Sequence, residues 1–583
     1  MENSRYQKKW SRHLTLNEIV EKLEEDDEEE VPDSIIILPP ENCNADVTDE
    51  DSGDENQVSL DNLPGSQLRA LGEACFQSEN CSDEDDDIPL MQLSIRRRVV
   101  STESDLASQS TSTIESTGHI ITVSKKKTYD WVSRDIRPSF EPWQHMQTTR
   151  TQFSPLQYFQ LVFGEDIINM FVHYTNLYVA KKNANTPAAK VSKDEILCFL
   201  GILLYSGYVV LPRRSMYWQN AADCGMPLVY NAMSRDRFTF IMTNFHCCDN
   251  TNLNTSDKFA KLRELFDLLN KSFVANAPYE EHYSIDEAMV PYYGGHPCKQ
   301  FIRGKPIRWG YKFWVGATRL GYIVWFDPYQ GQSTATSNKY KLALGLGASV
   351  VLQYADVLQE INNRAPFHLF FDNFFTSIYL IDELRVRGIK ATGTVRENRT
   401  AKCPLPTNKQ LQKTPRGTFK HQSTRAEQIL VCKWHDNSVV SVASNAATIQ
   451  PVTKVKRFSQ QEKKYVLVDQ PSVVKKYDEN MGGVDRSDQN IGLYRTSIRG
   501  KKWYFSLICH GLDMALHNSW QLYKNNGGEY DFLHFRRSVA TALLETYKKR
   551  SDRKATRVSQ NFREDSRFDG KDHLIRYRDN QLR

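Results

Sequence analysis

The chain has 583 residues, 40% of them hydrophobic and 11% aromatic, enough for several domains and a large core. It shows no apolar run of transmembrane length, no secretory leader at Met1-Glu2-Asn3-Ser4-Arg5 and no CxxC pairing among its eleven scattered cysteines, which argues against a membrane protein, a disulfide scaffold and a zinc-ribbon or RING module. Its net charge of +4 conceals a division: residues 1–120 carry 9 Lys and Arg against 29 Asp and Glu, the remainder 66 against 42, so a basic body suited to a polyanion follows an acidic head.

Residues 1–130 read as a disordered acidic region, with Glu24-Glu25-Asp26-Asp27-Glu28-Glu29-Glu30 and Asp83-Glu84-Asp85-Asp86-Asp87, many serines and few aromatics. Arg96-Arg97-Arg98 and Lys125-Lys126-Lys127 are short basic clusters of the kind used for nuclear import. Folding is expected to begin near Trp131 to Trp143. Residues 131–280 read as mainly helical: Leu156, Phe159, Leu161 and Val162, then Ile196, Phe199, Leu200, Leu203 and Leu204, recur at helical spacing.

From Tyr283 the period changes. Tyr311–Val315 and Tyr322–Phe326 flank Arg319-Leu320-Gly321 as a hairpin. Ser349 is expected to cap a helix whose apolar face is Val351, Tyr354, Val357, Leu358 and Ile361. A strand at Phe367–Phe371, a helix over about 376–386 ending at Gly388, and a strand near Ala391–Val395 follow. This order suits a ribonuclease-H-like α/β core over residues 281–398, completed by 472–494. Residues 399–471 interrupt it as a β-rich insertion, where Ile429–Trp434 and Ser438–Val442 flank the turn His435-Asp436-Asn437. Residues 495–550 return to helix, and 551–583 form a basic tail. His246-Cys247-Cys248 and Cys432-Lys433-Trp434-His435 read as core or strand residues rather than ligand pairs.

Three acids stand in settings suited to a metal. Asp286 and Asp372 end runs that read as strands entering a core, and Asp485 follows Gly482-Gly483. A carboxylate at a strand end is held rigidly, and several brought together repel unless a divalent cation sits between them. Two Mg²⁺ ions about 3.5–4 Å apart suit in-line attack on a phosphodiester. Taken singly, each acid equally suits a strand-end turn or a helix cap. Glu287 is left out of the ligand set, because in a strand it points away from the face of Asp286.

The acids and their flanks together resemble the piggyBac superfamily of DNA transposases over roughly residues 150–550. The likeness is carried by Arg235-Asp236-Arg237-Phe238, Tyr283-Ser284-Ile285-Asp286-Glu287, Lys299-Gln300-Phe301-Ile302-Arg303-Gly304-Lys305-Pro306 and Asp372-Asn373-Phe374-Phe375-Thr376-Ser377. Ala391 to Arg396, Tyr477 through Met481-Gly482-Gly483-Val484-Asp485-Arg486, and Asn518-Ser519-Trp520 complete it. The resemblance implies a catalytic triad of Asp286, Asp372 and Asp485, with Asp488 close by, and two Mg²⁺ or Mn²⁺ ions held by the three. It implies a nuclear homodimer that cleaves double-stranded DNA at transposon ends and joins them to TTAA targets, with the helical parts forming a dimerisation and DNA-binding domain. It also marks Arg396, Arg399, Arg499, Lys501 and Lys502 as DNA contacts, and Trp503 as an aromatic near the site. Core packing beside Tyr504 and Phe505 is the alternative reading of Trp503. Family members usually end in a cysteine-rich zinc domain, and the chain stops at Arg583 where that array would begin, so no structural zinc is expected within it. The rivals are a domesticated, non-catalytic DNA-binding protein and a nuclease without strand transfer.

Overall fold

A computed structural model describes residues 122–123, 125, 127–144, 152–182, 190–219, 223–302, 307–331, 338–459 and 463–548, together with three short strands in the acidic head. These are β1 (Leu14–Thr15), β2 (Ser34–Ile37) and β3 (Leu71–Cys75). The acidic runs, Arg96-Arg97-Arg98 and the basic tail lie outside the described residues.

Strand β4 (Trp131–Val132) precedes the helical region. The helices are α1 (Pro155–Val162), α2 (Glu165–Lys182), α3 (Lys193–Ser206), α4 (Arg235–Asn244) and α5 (Arg263–Ala275). Ser154 and Ser192 open α1 and α3 with capping boxes, pairing with Gln157 and Glu195. Arg237 on α4 then binds the Glu195 carboxylate at 2.7 and 3.0 Å, which ties the Arg235–Phe238 motif to the start of α3.

The central sheet follows: β5 (His282–Pro291), β6 (Lys299–Ile302), β7 (Trp309–Thr318) and β8 (Ile323–Pro328). Helix α6 (Leu346–Ile361), β9 (His368–Phe371), α7 (Ile378–Val386) and β10 (Lys390–Thr394) complete its first part. The order β8-β7-β5-β9-β10 has antiparallel pairs on one side of β5 and parallel pairs on the other. That is the ribonuclease-H-like arrangement expected. Side chains alternate between the two faces. Tyr283, Ile285 and Trp314 pack with α6 and α7, whereas Ala288, Val290, Phe313 and Val315 join the core of the helical domain.

The insertion consists mainly of β11 (Phe419–Thr424), β12 (Leu430–His435), β13 (Val439–Ser444), β14 (Thr453–Ser459) and β15 (Lys464–Gln470). Its strands continue the core's own sheet, because β13 pairs antiparallel with β10, while β14 and β15 form a separate ribbon. The chain returns through α8 (Ser472–Asn480) and α9 (Gly483–Leu493) to α10 (Trp503–Asn525) and α11 (Phe532–Thr546). Arg536 on α11 locks the two distant helical segments together. It is fully buried, pairs with Asp513 at 2.9 Å and donates to the Leu204 carbonyl at 3.0 Å.

Four expectations change. Asp286 sits within a ten-residue strand rather than at its end, because Ala288, Met289 and Val290 carry burial onward. Helix α6 begins at Leu346 after Gly345, whose φ of 88° makes the turn, so Ser349 lies in the first turn and bonds the Leu346 carbonyl instead of capping. Within the acidic head, β2 pairs antiparallel with β6 and so adds strands to the sheet edge. Residues 122–136 pack on the insertion and α7, not on the helices: β4 pairs with β11, Ile136 enters the insertion core and Lys127 bonds Asp382 at 2.5 Å and Glu427 at 3.0 Å. Lys127 is therefore committed to an internal contact.

Candidate active site

Ile285 on β5 is the register partner of Phe371 on β9, in parallel strands. The next residues along are Asp286 and Asp372, so backbone geometry alone sets these two acids side by side, about one strand spacing of 4.8 Å apart. Both are half-buried. The Asp286 Oδ1 accepts from the Glu287 amide at 2.8 Å, and the Asp372 Oδ1 from the Phe374 amide at 2.9 Å. The Asp372 carbonyl accepts from the Thr376 hydroxyl at 2.7 Å, which closes the turn after the strand.

The third acid arrives on α9. A Cβ on Gly483 would fall 2.3 Å from the Thr318 carbonyl and 2.6 Å from the Ser284 hydroxyl, so only glycine lets α9 lie against β5 and β7 here. Ser284 shares its face of β5 with Asp286, two residues on. Asp485 stands in the first turn of α9 and is exposed; Asp488, one turn later, is half-buried. Among the described residues no three His, Cys, Asp or Glu side chains converge closely enough to hold a metal ion. The fold thus sets Asp286 beside Asp372 and carries Asp485 and Asp488 on the helix that packs over β5, without closing a three-carboxylate cluster.

The local electrostatics fit a cation. Burial raises the pKa of Asp372, the charge of Glu287 raises it further, and the Phe374 and Phe375 amides and Lys312 only partly offset this. Glu287 occupies the other face of β5, as its alternation predicts, and contacts Lys312 at 3.6 Å. Its charge nevertheless reaches Asp372. The Lys312 ammonium lies 4.3 Å over the Trp314 ring and 5.2 Å over Phe374. Tyr477 on α8 is a further neighbour that sequence reasoning did not assign. Its hydroxyl is 3.5 Å from the Thr394 hydroxyl, and its phenol is held protonated by burial, with Asp372 and Asp286 adding to the effect. Its place eight residues before Asp485 in the Tyr477–Asp485 motif was the available signal. Hard carboxylate oxygens with excess negative charge are the donor set that Mg²⁺ and Mn²⁺ prefer.

The expected DNA contacts divide. Arg396 is exposed and Arg399 half-buried, and both reach the turn after Asp372: the Arg396 Nε bonds the Asn373 side chain at 3.3 Å, and the Arg399 Nη1 the Phe374 carbonyl at 2.7 Å. Arg499 and Lys501 are exposed before α10. Lys502 is half-buried, donating to the Thr243 carbonyl at 2.7 Å and lying over the Tyr178 and Tyr504 rings. Trp503 is half-buried, with its ring 4.2 Å from that of His296 and 6.1 Å from Phe259, so packing accounts for much of its surface. His246 stacks on Tyr178 at 3.8 Å and Cys247 is buried, as expected of core residues.

A family model described as "Transposase IS4" matches residues 154–520. The chain is 42% identical to human PiggyBac transposable element-derived protein 3 over 565 residues, covering 97% of this chain and 93% of that protein. It is 40% identical to human PiggyBac transposable element-derived protein 2, with coverage of 97% and 91%. It matches the human chimeric ERCC6-PGBD3 protein at 42% identity and spans about half, 52%, of that longer chain. In fold it is similar to the piggyBac transposase in a cryo-EM structure of a synaptic complex with hairpin DNA, with a TM-score of 0.56 and 24% identity over 68% of this chain and 82% of that one. With a family match across most of its folded length and relatives of this identity along nearly its whole length, the chain belongs to the piggyBac family of transposases and transposable element-derived proteins.

Proposed function

We propose that this protein is a DNA transposase, or retains the core chemistry of one, and performs metal-dependent cleavage and strand transfer at TTAA sites. The observation that carries the reading is the placement of Asp286 and Asp372 one residue past the Ile285–Phe371 pair of neighbouring parallel strands in a ribonuclease-H-like core, in a chain of a transposase family. Asp286, Asp372 and Asp485 would hold two divalent ions, with Asp488 supporting. Bound there, Mg²⁺ or Mn²⁺ would supply activation of water or a 3′-hydroxyl and neutralisation of the leaving oxygen.

The chain's own residues prepare that site. The Phe374 amide orients the Asp372 carboxylate, and the Glu287 amide that of Asp286. Arg396, Arg499 and Lys501 present charge to a phosphate backbone, which fixes register without reading sequence. The reading extends to a nuclear, dimeric protein on double-stranded DNA. Among the described residues, no helix is long and apolar enough to cross a membrane.

The test supplies a pre-nicked end with a free 3′-hydroxyl, a TTAA-containing target and Mg²⁺ or Mn²⁺. Joining by the native chain, lost in Asp286→Ala, Asp372→Ala and Asp485→Ala, supports the proposal. A domesticated DNA-binding protein is the second reading. The outward position of Asp485 favours it, and it requires DNA binding with no joining under any divalent metal. Cleavage without joining would instead point to a nuclease.

A further inference from the structure

The turn after Asp372 is gripped from outside its own strand. The Arg399 Nη1 donates to the Phe374 carbonyl at 2.7 Å and approaches the Asn373 carbonyl at 3.5 Å. The amide of the same Phe374 donates to the Asp372 carboxylate at 2.9 Å. Phe374 is thus clasped at both ends of one residue, by the guanidinium through its carbonyl and by the acid through its amide.

Arg399 is itself anchored. It ends the short 3₁₀ turn Glu397–Arg399, and Glu397 is bound by the Lys433 ammonium at 2.8 Å. Lys433, on β12, is 2% exposed and also donates to the Pro406 carbonyl at 2.9 Å. The Thr400 hydroxyl closes the turn on the Glu397 carbonyl at 2.9 Å. A continuous set of contacts therefore runs from the insertion sheet through Lys433, Glu397, Arg399 and Phe374 to Asp372. Helix α6 packs closely on the same group: a Cβ on Gly347 would lie 2.6 Å from the Phe374 carbonyl.

We propose that Arg399 is a positioning residue that sets the Asp372 carboxylate through Phe374, and that the insertion domain supports the catalytic acid by this route. A guanidinium holding a carbonyl in a half-buried setting is a directional constraint that an exposed phosphate contact does not impose. The consequence for metal binding rests on the proposed function; the effect on the turn does not.

The experiment uses the full chain without DNA and compares Arg399→Ala, Arg399→Lys and Arg396→Ala with wild type. The first readout is amide hydrogen exchange at Phe374. Loss of the grip in Arg399→Ala should speed it about tenfold, with partial recovery in Arg399→Lys and little change in Arg396→Ala. The second is Tb³⁺ luminescence as a probe of the carboxylate site, with affinity falling about tenfold in Arg399→Ala, the scale expected when a ligand loses its orienting partner. If Arg399→Ala fails to fold, Glu397→Gln loosens the same turn and should show the same pattern at smaller size. Unchanged Phe374 exchange in Arg399→Ala would overturn the proposal and leave Arg399 without a positioning role. If wild type takes up no Tb³⁺, the metal reading of the function fails, while Phe374 exchange still decides the role of Arg399.

Discussion

Ile285 and Phe371 are partners across parallel strands, and this one pairing sets Asp286 beside Asp372. The two acids stand 86 positions apart in the chain, but one register step relates them. A shift of register by one residue would move one carboxylate to the opposite face. Their proximity is therefore a property of the sheet, not of flexible side chains.

That placement predicts opposite effects on chemistry and stability. Asp372→Asn should lower joining of pre-nicked ends by about a hundredfold or more, since an error of about 1 Å at a reacting centre costs that much. It should raise the melting temperature in metal-free buffer. The raised pKa of Asp372 means that folding disfavours its charged form, and a neutral amide removes that cost. A lowered melting temperature with joining retained would remove Asp372 from the site.

Gly483 carries the approach of α9. Gly483→Ala would put a methyl group 2.3 Å from a backbone carbonyl, a contact that only movement of the helix relieves. The expected cost is about 1–3 kcal/mol, read by denaturant unfolding, with a drop in joining larger than the stability loss explains because Asp485 moves with the helix. Unchanged stability would show that α9 does not pack on β5 in solution.

Acid should loosen the fold through its buried histidines. His246 and His517 are pushed down to about 4, and His296 and His510 to about 3, in each case mainly by burial. A histidine with a depressed folded pKa contributes stability that is present above its ordinary value of about 6.5 and lost as pH falls toward the folded value. The melting temperature should therefore fall between pH 7 and pH 5. His510→Leu should flatten this limb, since His510 packs beside Phe313 and its buried Nδ1 has no hydrogen-bond partner among the described residues. An identical slope in the variant would take His510 out of the account.

Much of this architecture was legible in the chain. The hairpin at Arg319-Leu320-Gly321, the strand before Asp372 and the helix ending at Gly388 all carry local signals, and Gly321 and Gly388 adopt the positive φ values that such turns need. The contacts that make a site of these pieces are long-range and left no local trace. Nothing near Arg399 announces that it holds the Phe374 carbonyl, and nothing near Glu287 that its charge reaches Asp372 across the sheet. Lys502 and Trp503 read as a DNA-facing pair because a basic, aromatic sequence suits phosphate and base, whereas tertiary packing turned Lys502 onto the Thr243 carbonyl and Trp503 onto His296. The isolated signal for the α6 cap failed for a related reason: Gly345 already supplied the turn that Ser349 was expected to make.

The acidic head should weaken DNA binding by occupying the body rather than by lowering its net charge alone. Strand β2 pairs with β6 through Ser34 with Ile302 and Ile35 with Phe301, which fastens this part of the head to the edge of the central sheet. Residues 1–120 hold 29 acids against 66 bases in the remainder, and acids tethered through that edge would compete for the basic surface at high effective concentration. Deleting residues 1–120 should therefore tighten binding of nonspecific duplex DNA at low salt. Each additional phosphate the freed surface contacts should steepen the slope of log K against log salt by about 0.9. Screening should erase the gain as the Debye length shortens to about 3 Å near 1 M salt. Disrupting the pairing with Ile35→Pro, which removes a backbone donor from β2, should reproduce part of the deletion's effect in the full-length chain. Fluorescence anisotropy across a salt series reads all three proteins. If the deletion tightens binding and Ile35→Pro does not, the head acts by charge alone. If the deletion weakens binding, the head contributes to the DNA interface and competition is the wrong account.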